Sequence, residues 1–215
     1  MNRSLFAIAL IAAGLLPGSR VGANDDPPKP APAPSPQPKS KPVVLDPATL
    51  AKLREVAFDA AREGDLKTLA EYFKAGQPAD IVNNRGDTLL ILASYHGHDD
   101  AVKAILDQPK APLDARNKMG FTALTGAAYK GYLGIVKQLV AKKADLNASN
   151  ARKQTPLMFA AMFGRAEVVC YLVDRKVDLK AKDDAGKTAL DLARFQGNDE
   201  VIKILEAART VTDTQ

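Results

Sequence analysis

The chain has 215 residues, of which 46% are hydrophobic and 26% charged, and its formal net charge is +5. This composition is that of a folded protein and not of an intrinsically disordered one. The small positive net charge argues against a nucleic-acid-binding surface, which needs a concentrated basic stripe. A single cysteine, Cys170, allows no intramolecular disulfide, so stability must come from packing.

The first 23 residues have the pattern of a cleavable secretory signal peptide. Arg3 precedes an uncharged apolar run at residues 5–16, and small residues at 21–23 offer a cleavage point after Ala23. The alternative is a membrane anchor, but about a dozen apolar residues fall short of the ~20 that span a bilayer as a helix. We therefore expect an exported, periplasmic protein that has no integral membrane insertion once the signal peptide is removed.

Residues 24–46 predict a proline-rich disordered linker, in which proline alternates with small and polar residues. Because proline fixes φ and lacks an amide donor, this stretch favours an extended polyproline-type spacer. Two roles are open for it. It either holds the folded part away from a membrane or wall, or it is a ligand for a proline-recognition groove.

A helix pair is expected to follow the linker. Asp46 and Pro47 are typical of an N-cap and a first helical position. Apolar residues then recur at three- and four-residue intervals up to Arg62, and a second helix is expected at residues 65–74 after a break at Gly64. This pair lacks the threonine that opens the later units, which is expected of an N-terminal cap whose outer face meets water.

The rest of the chain repeats one pattern four times. Threonines recur at intervals of 34, 33 and 33 residues, each followed two positions later by leucine: Thr88, Thr122, Thr155 and Thr188. Glycines keep the same period: Gly64, Gly97, Gly131, Gly164 and Gly197. So regular a period predicts stacked supersecondary units. Each unit should contain an extended turn, a helix opened by threonine, a glycine break and a second helix.

The repeated pattern resembles the ankyrin repeat. Residues 155–161, Thr-Pro-Leu-Met-Phe-Ala-Ala, resemble its Thr-Pro-Leu-His-x-Ala-Ala signature, and residues 144–148, Ala-Asp-Leu-Asn-Ala, resemble its Ala-Asp-Val-Asn-Ala linker. The resemblance implies an all-α fold: an ankyrin-repeat solenoid of stacked helix-turn-helix units with short β-turn fingers, made of an N-terminal capping helix pair plus four repeats. We assign the ankyrin-repeat domain to residues 47–210 and a disordered tail to residues 211–215.

Two residues depart from the repeated pattern. Lys153 stands where the other three units have glycine, which indicates either a locally altered turn or a fingertip residue placed to meet a partner. Gly126 stands where the other three units have a large apolar residue. Because protein interiors are close-packed, we predict that Phe159 of the neighbouring unit fills the space beside Gly126.

The sequence carries little catalytic chemistry. His96 and His98 have no partners at metal-ligand spacing, and the sequence contains no Gly-rich phosphate loop. Cys170 has no histidine in its own unit and takes a position that is solvent-facing elsewhere, so it is either an unremarkable free thiol or a redox-active one. We therefore expect a protein that is not an enzyme and has no cofactor or metal.

The ankyrin resemblance implies that a protein partner meets the fingertips and the ends of the first helices. The predicted partner-binding residues are Tyr95, His96, Met119, Phe121, Tyr129, Lys130, Arg152, Met162, Phe163, Lys187 and Phe195. We expect Tyr95, Tyr129, Met162 and Phe195 to align in one stripe, although rings at helical spacing also occur as ordinary core. Such a module, monomeric when alone, would present a rigid concave surface to another protein. Exported ankyrin proteins suggest support of an antioxidant enzyme such as a catalase, or neutralisation of a secreted toxin as an immunity protein.

Overall fold

A computed structural model describes the backbone of residues 46–212 and the side chains of residues 46–210. The predicted signal peptide, all but the last residue of the predicted linker, and residues 213–215 lie outside this range. Within it the chain forms ten helices in five pairs. The pairs are α1 (Pro47–Glu63) and α2 (Leu66–Lys74), α3 (Leu89–His96) and α4 (Asp99–Leu106), α5 (Ala123–Lys130) and α6 (Leu133–Ala141), α7 (Pro156–Met162) and α8 (Ala166–Asp174), and α9 (Ala189–Gln196) and α10 (Asp199–Thr212).

The five pairs stack in chain order into two layers. The first helices α1, α3, α5, α7 and α9 pack on one another in succession, and the second helices form the other layer. Each pair also packs internally, so its apolar residues are buried between layers and between neighbouring units. The predicted all-α solenoid of a capping pair and four repeats is confirmed. No helix in the described range is both long and apolar enough to cross a membrane.

The C-terminal end of the domain differs from the sequence interpretation. Helix α10 continues to Thr212, so residues 211 and 212 belong to the last helix and not to a tail. At the other end of the domain, Asp46 caps α1 as predicted, because its carboxylate accepts hydrogen bonds from the amides of Ala48 and Thr49.

The recurring threonines cap the first helices of the four repeats. Each Oγ1 accepts a hydrogen bond from the amide three residues later, at distances of 3.1, 3.2, 3.4 and 3.3 Å from Thr88 to Thr188. In the last repeat the carboxylate of Asp191 also accepts from the amide and hydroxyl of Thr188. The Thr188 amide, followed by the Thr188 hydroxyl, lowers the pKa of Asp191. These bonds satisfy amides that a helix start leaves without partners.

The recurring glycines make room for the next unit. Their φ angles are all positive, between +66° and +88°, in the region that favours glycine. In addition, a Cβ on Gly97 would lie 2.7 Å from the ring of Tyr132, which belongs to the following unit. Gly197, in the last unit, has nothing within 4 Å of the same position. Glycine therefore recurs at this position for two reasons: the backbone is left-handed, and the next unit packs too closely for a side chain.

In the first, third and fourth repeats, the side chain of the residue after the glycine bonds to the unit before it. A ring nitrogen of His98 lies 2.8 Å from the carbonyl oxygen of Arg62, at the end of α1. Similarly, Arg165 Nε donates to the carbonyl of Tyr129 at 3.0 Å, and Asn198 Nδ2 donates to that of Ala161 at 2.8 Å. These bonds satisfy carbonyls at the ends of the preceding first helices.

An Asn or Asp folds each finger, a role the sequence analysis did not assign. In every finger its Oδ1 accepts hydrogen bonds from the amides two and four residues later, at 2.8–3.0 Å. The four residues lie five positions before each threonine: Asn83, Asn117, Asn150 and Asp183. Among the described residues, the first finger also contains an isolated antiparallel bridge between Val82 and Thr88.

The turn at Lys153 keeps the form it has in the other fingers. Lys153 has a φ of +58°, and its amide donates to the Asn150 carbonyl at 2.9 Å. The Gly120 amide makes the matching bond to Asn117 at 2.8 Å. The expectation of an altered turn is therefore wrong: the finger holds a lysine in a left-handed conformation. That Lys153 meets a partner stays a prediction.

Candidate functional site

Five aromatic rings from three successive repeats form one cluster, which we call the aromatic cluster. The Tyr95 ring stacks on Tyr129, with centroids 5.9 Å apart and 10° between the planes. Tyr129 in turn meets Phe163 edge to face at 4.4 Å and Phe159 at 6.5 Å. Phe159 meets Phe121 at 5.0 Å. The predicted alignment of these positions across repeats is therefore real for Tyr95 and Tyr129, and Phe163 continues it.

The ammonium group of Lys130 lies against the aromatic cluster. Lys130 Nζ lies 4.8 Å from the ring centroid of Tyr95 and 5.7 Å from that of Tyr129. Both distances fall within the range of cation–π attraction. This lysine is thus held beside the stacked tyrosines at the end of α5.

The predicted stripe is partly core and partly surface. Phe159 is buried, and Tyr95, Tyr129, Phe121 and Met162 are half-buried. In contrast, the exposed fractions of Met119, Phe163 and Phe195 are 66%, 41% and 85%. In the third repeat, the predicted stripe position is Met162, but the ring that contacts Tyr129 belongs to the next residue, Phe163, which is more exposed.

A groove of about 360 Å³ opens beside the aromatic cluster, between the first two fingers and helices α3 and α5. Its apolar lining comes from Ile91, Leu92, Tyr95, Met119, Phe121 and Gly126. The prediction that Phe159 fills the space beside Gly126 is wrong. A Cβ added to Gly126 would instead meet Tyr95, with 3.5 Å between the two Cβ atoms. The side chain that Gly126 lacks leaves room in the groove.

Cations surround this groove. Arg62, Arg85 and Lys118 line it together with His96 and a single carboxylate, Asp87. Asp87 is only 7% exposed. Its carboxylate accepts hydrogen bonds from the side-chain amides of Asn117 at 2.7 Å and Asn83 at 3.2 Å. Arg85 Nε also lies 4.0 Å from this carboxylate. The acid is therefore engaged inside the fingers, and the charged side chains of the groove lining sum to a net positive charge.

The surroundings of His96 disfavour its charged form. Partial burial lowers its pKa below the ordinary value of 6.5, and electrostatic repulsion from His98, Arg62 and Lys130 lowers it further. Its ring stacks on that of His98 at 6.4 Å. No group of three or more His, Cys, Asp or Glu side chains in residues 46–210 is placed to hold a metal ion.

The remaining predicted contact residues lie on later fingers. Arg152 Nε is 3.6 Å from the Asp184 carboxylate, and both side chains are exposed. Lys187, also exposed, donates its amide to Asp183 Oδ1 at 2.8 Å. Cys170 is exposed on α8, in the layer of second helices, as its position predicts. A redox role for this thiol stays a prediction.

Comparison with known proteins agrees with this architecture. A family model described as ankyrin repeats (3 copies) matches residues 57–150 and 126–213. An ankyrin repeat protein of Pseudomonas aeruginosa is 48% identical over 46 residues, which are 21% of this chain and 27% of that protein. Ankyrin repeat and SOCS box protein 3 of Bos taurus is 34% identical over 83 residues, 38% of this chain and 16% of that protein.

The matched segments are short compared with the relatives themselves. Alpha-latrocrustotoxin-Lt1a of Latrodectus tredecimguttatus is 40% identical over 58 residues, 27% of this chain and only 4% of the toxin. The chain thus spans well under a third of each of these three relatives. The family match, the stacked helix pairs and the capping threonines together show that the chain belongs to the ankyrin-repeat family, whose repeats are protein–protein interaction modules.

Proposed function

We propose that this chain is a non-enzymatic scaffold that binds another protein through the surface formed by the aromatic cluster, the groove and the fingertips. One observation carries the proposal: large apolar side chains are exposed along this surface, namely Met119, Phe163 and Phe195. Exposed apolar patches on folded domains usually mark binding sites, and aromatic residues, methionine and arginine are enriched in protein interfaces.

The packing of the rings supports binding without a change of shape. Tyr95, Tyr129 and Phe163 contact one another across three repeats, so much of their rotamer freedom is already lost before a partner arrives. Ordering a side chain at an interface otherwise costs about 0.5–1.5 kcal/mol. A preorganised surface of this kind favours a rigid presentation mechanism, which is how stacked repeats usually act.

The N-terminal sequence supports an exported site of action. The apolar run at residues 5–16, followed by small residues before Asn24, is typical of a signal peptide. We therefore place the proposed partner in the periplasm. An antioxidant enzyme such as a catalase is the partner class we propose, and recovery of a secreted toxin would assign the chain to immunity instead.

Serine substitutions with a matched control test the proposal. The full-length tagged protein and its Phe163→Ser and Phe195→Ser variants are used to capture partners from the exported fraction of the source cells. Leu66→Ser is the control, because Leu66 is also 41% exposed but lies on α2, in the other layer. We expect the double variant Phe163→Ser/Phe195→Ser to recover at least tenfold less partner while its melting temperature stays within a few degrees of the parent.

The control should capture as much partner as the parent. Equal recovery by the double variant would contradict the proposed surface. A loss of recovery in Leu66→Ser of the same size would contradict it as well, because binding would then not depend on the layer that carries the aromatic cluster.

A further inference from the structure

The groove between the first two fingers is lined at one position by a residue without a side chain. At the fourth position after the threonine the other repeats carry Leu92, Phe159 and Leu192, whereas the second repeat has Gly126. Gly126 lies within helix α5, and a Cβ there would make only ordinary van der Waals contact with Tyr95, at 3.5 Å. A Cβ would therefore fit at this position, which lines the groove without a side chain.

The groove is shaped to receive an apolar side chain. Its lining includes the half-buried rings of Tyr95 and Phe121, the buried Leu92 and the exposed Met119. Its volume of about 360 Å³ lies at the lower end of the roughly 300–1,000 Å³ of protein ligand pockets. A space of this size suits one anchoring side chain of a partner better than a whole folded element.

The basic side chains around the groove favour acidic residues next to that anchoring side chain in the partner. Arg85 is exposed over 81% of its side chain, and Lys118 is exposed on the neighbouring finger. Arg62 borders the groove from α1 and pairs with Asp59 on its own helix. Arg85 Nε lies 4.0 Å from the carboxylate of Asp87, which also accepts hydrogen bonds from Asn83 and Asn117. Asp87 is the single acid in the groove lining, so the three cations there outnumber it.

We propose that this groove binds an acidic protein segment, inserting one aromatic or large aliphatic side chain over Gly126 and placing Asp or Glu residues against Arg62, Arg85 and Lys118. The inference rests on the proposed function and names the chemistry of the partner at that site. Opposite charges around an apolar anchor speed association and reject basic partners. The chain's own residues 24–45 carry three lysines and two aspartates, so their charge does not favour them as the occupant.

Selection from a random peptide library tests this assignment without a known partner. The full chain is immobilised, a displayed library of twelve-residue peptides is selected on it, and the recovered peptides are sequenced. We expect enrichment of an aromatic or aliphatic residue flanked by Asp and Glu. The best of these peptides, carrying a fluorescent label, is then titrated with the parent and its variants by anisotropy.

Gly126→Leu separates binding from folding, because leucine occupies the same position in two sibling repeats. We expect at least a tenfold loss of peptide affinity with the melting temperature maintained or raised. Lys118→Glu is expected to weaken the same peptide at least fivefold and to flatten its salt dependence, and it decides the matter if Gly126→Leu does not fold. Leu66→Ser, on α2 in the other layer, should leave affinity unchanged.

Several results would overturn the inference. They are recovery of peptides without acidic residues, recovery of no peptides, and peptides whose binding is unaffected by both Gly126→Leu and Lys118→Glu. Dimerisation of the full chain in sedimentation that Gly126→Leu abolishes would make a second copy the occupant and would also overturn it. If peptide binding or partner capture depends on Phe163 but not on Gly126, the proposed function stands and only this inference fails.

Discussion

Gly97 shows at the scale of one residue how a sequence period arises from stacking. Its φ of +85° already favours glycine, and the ring of Tyr132 from the next repeat occupies the place where a Cβ would stand. Gly197 has a similar φ of +72° but no neighbour at that place, because no repeat follows it in the described chain. Substitutions at the two glycines can therefore distinguish the cost of a side chain on left-handed backbone from the cost of a steric clash with the next repeat.

We predict that Gly97→Ala destabilises the protein more than Gly197→Ala does. A side chain on left-handed backbone costs about 1 kcal/mol, so Gly197→Ala should lower the free energy of unfolding by about that amount. Gly97→Ala adds a contact of 2.7 Å with a ring, and overpacking of this kind costs about 1–3 kcal/mol more. Urea unfolding of the two variants measures the difference, and equal losses would contradict the stacking explanation.

Some single-residue features follow from the local sequence pattern, and others do not. The threonine caps follow from residue type and position alone, since each serves its own helix. The side chain that lies beside Gly126 could not be predicted in this way, because it depends on how α3 and α5 pack across a repeat boundary. The structure places Tyr95 there instead of Phe159. Lys153 likewise keeps a left-handed turn that its residue type disfavours.

At the scale of elements, the second helices begin in a different way from the first helices of the repeats. Helix α2 is capped by Asp65, whose Oδ1 accepts from the Thr68 amide at 3.1 Å and whose Oδ2 accepts from the Thr68 hydroxyl at 2.7 Å. These bonds, led by the one from the hydroxyl, lower the pKa of Asp65. At the same position in later repeats, His98, Arg165 and Asn198 reach back to the preceding unit instead.

We predict that Asp65→Ala lowers the free energy of unfolding by about 1 kcal/mol at pH 7, as loss of a helix N-cap usually does. Because the folded pKa of Asp65 lies below its ordinary value of 3.8, the ionised cap stabilises the protein above that pH. This contribution is lost as the pH falls through the folded pKa. The free energies of unfolding of parent and variant should therefore differ at pH 7, and the difference should shrink as the pH falls below 3.8; a constant difference would contradict the cap.

The elements themselves were largely predictable from sequence. Helix α1 was expected to run from Pro47 to about Arg62 and ends at Glu63, and α2 was expected to end at Lys74, where it does. The finger residues Asn83, Asn117, Asn150 and Asp183 share the threonine period and could have been found from it. The bonds from His98 and Arg165 could not, because they join residues 36 positions apart that carry different side chains in every repeat.

At the scale of the whole molecule, the candidate surface exists only in the stack. The aromatic cluster draws its rings from three repeats, and the groove needs two fingers and two first helices to enclose it. No single helix pair would hold either feature, and the family resemblance alone could not locate them. The frame of threonines and glycines sets the spacing, while Gly126, Met119 and Phe163 give this face its own shape.

The central claim is that a protein partner binds this face of the stack. Site-specific photo-crosslinking in living cells tests it most directly, with a photoreactive residue at Met119 or Phe163 and, for comparison, at Leu66 or Cys170 in the other layer. The account predicts a discrete protein adduct from positions 119 and 163 and none from positions 66 and 170. The same adduct from Leu66 or Cys170, with none from Met119 and Phe163, would contradict it.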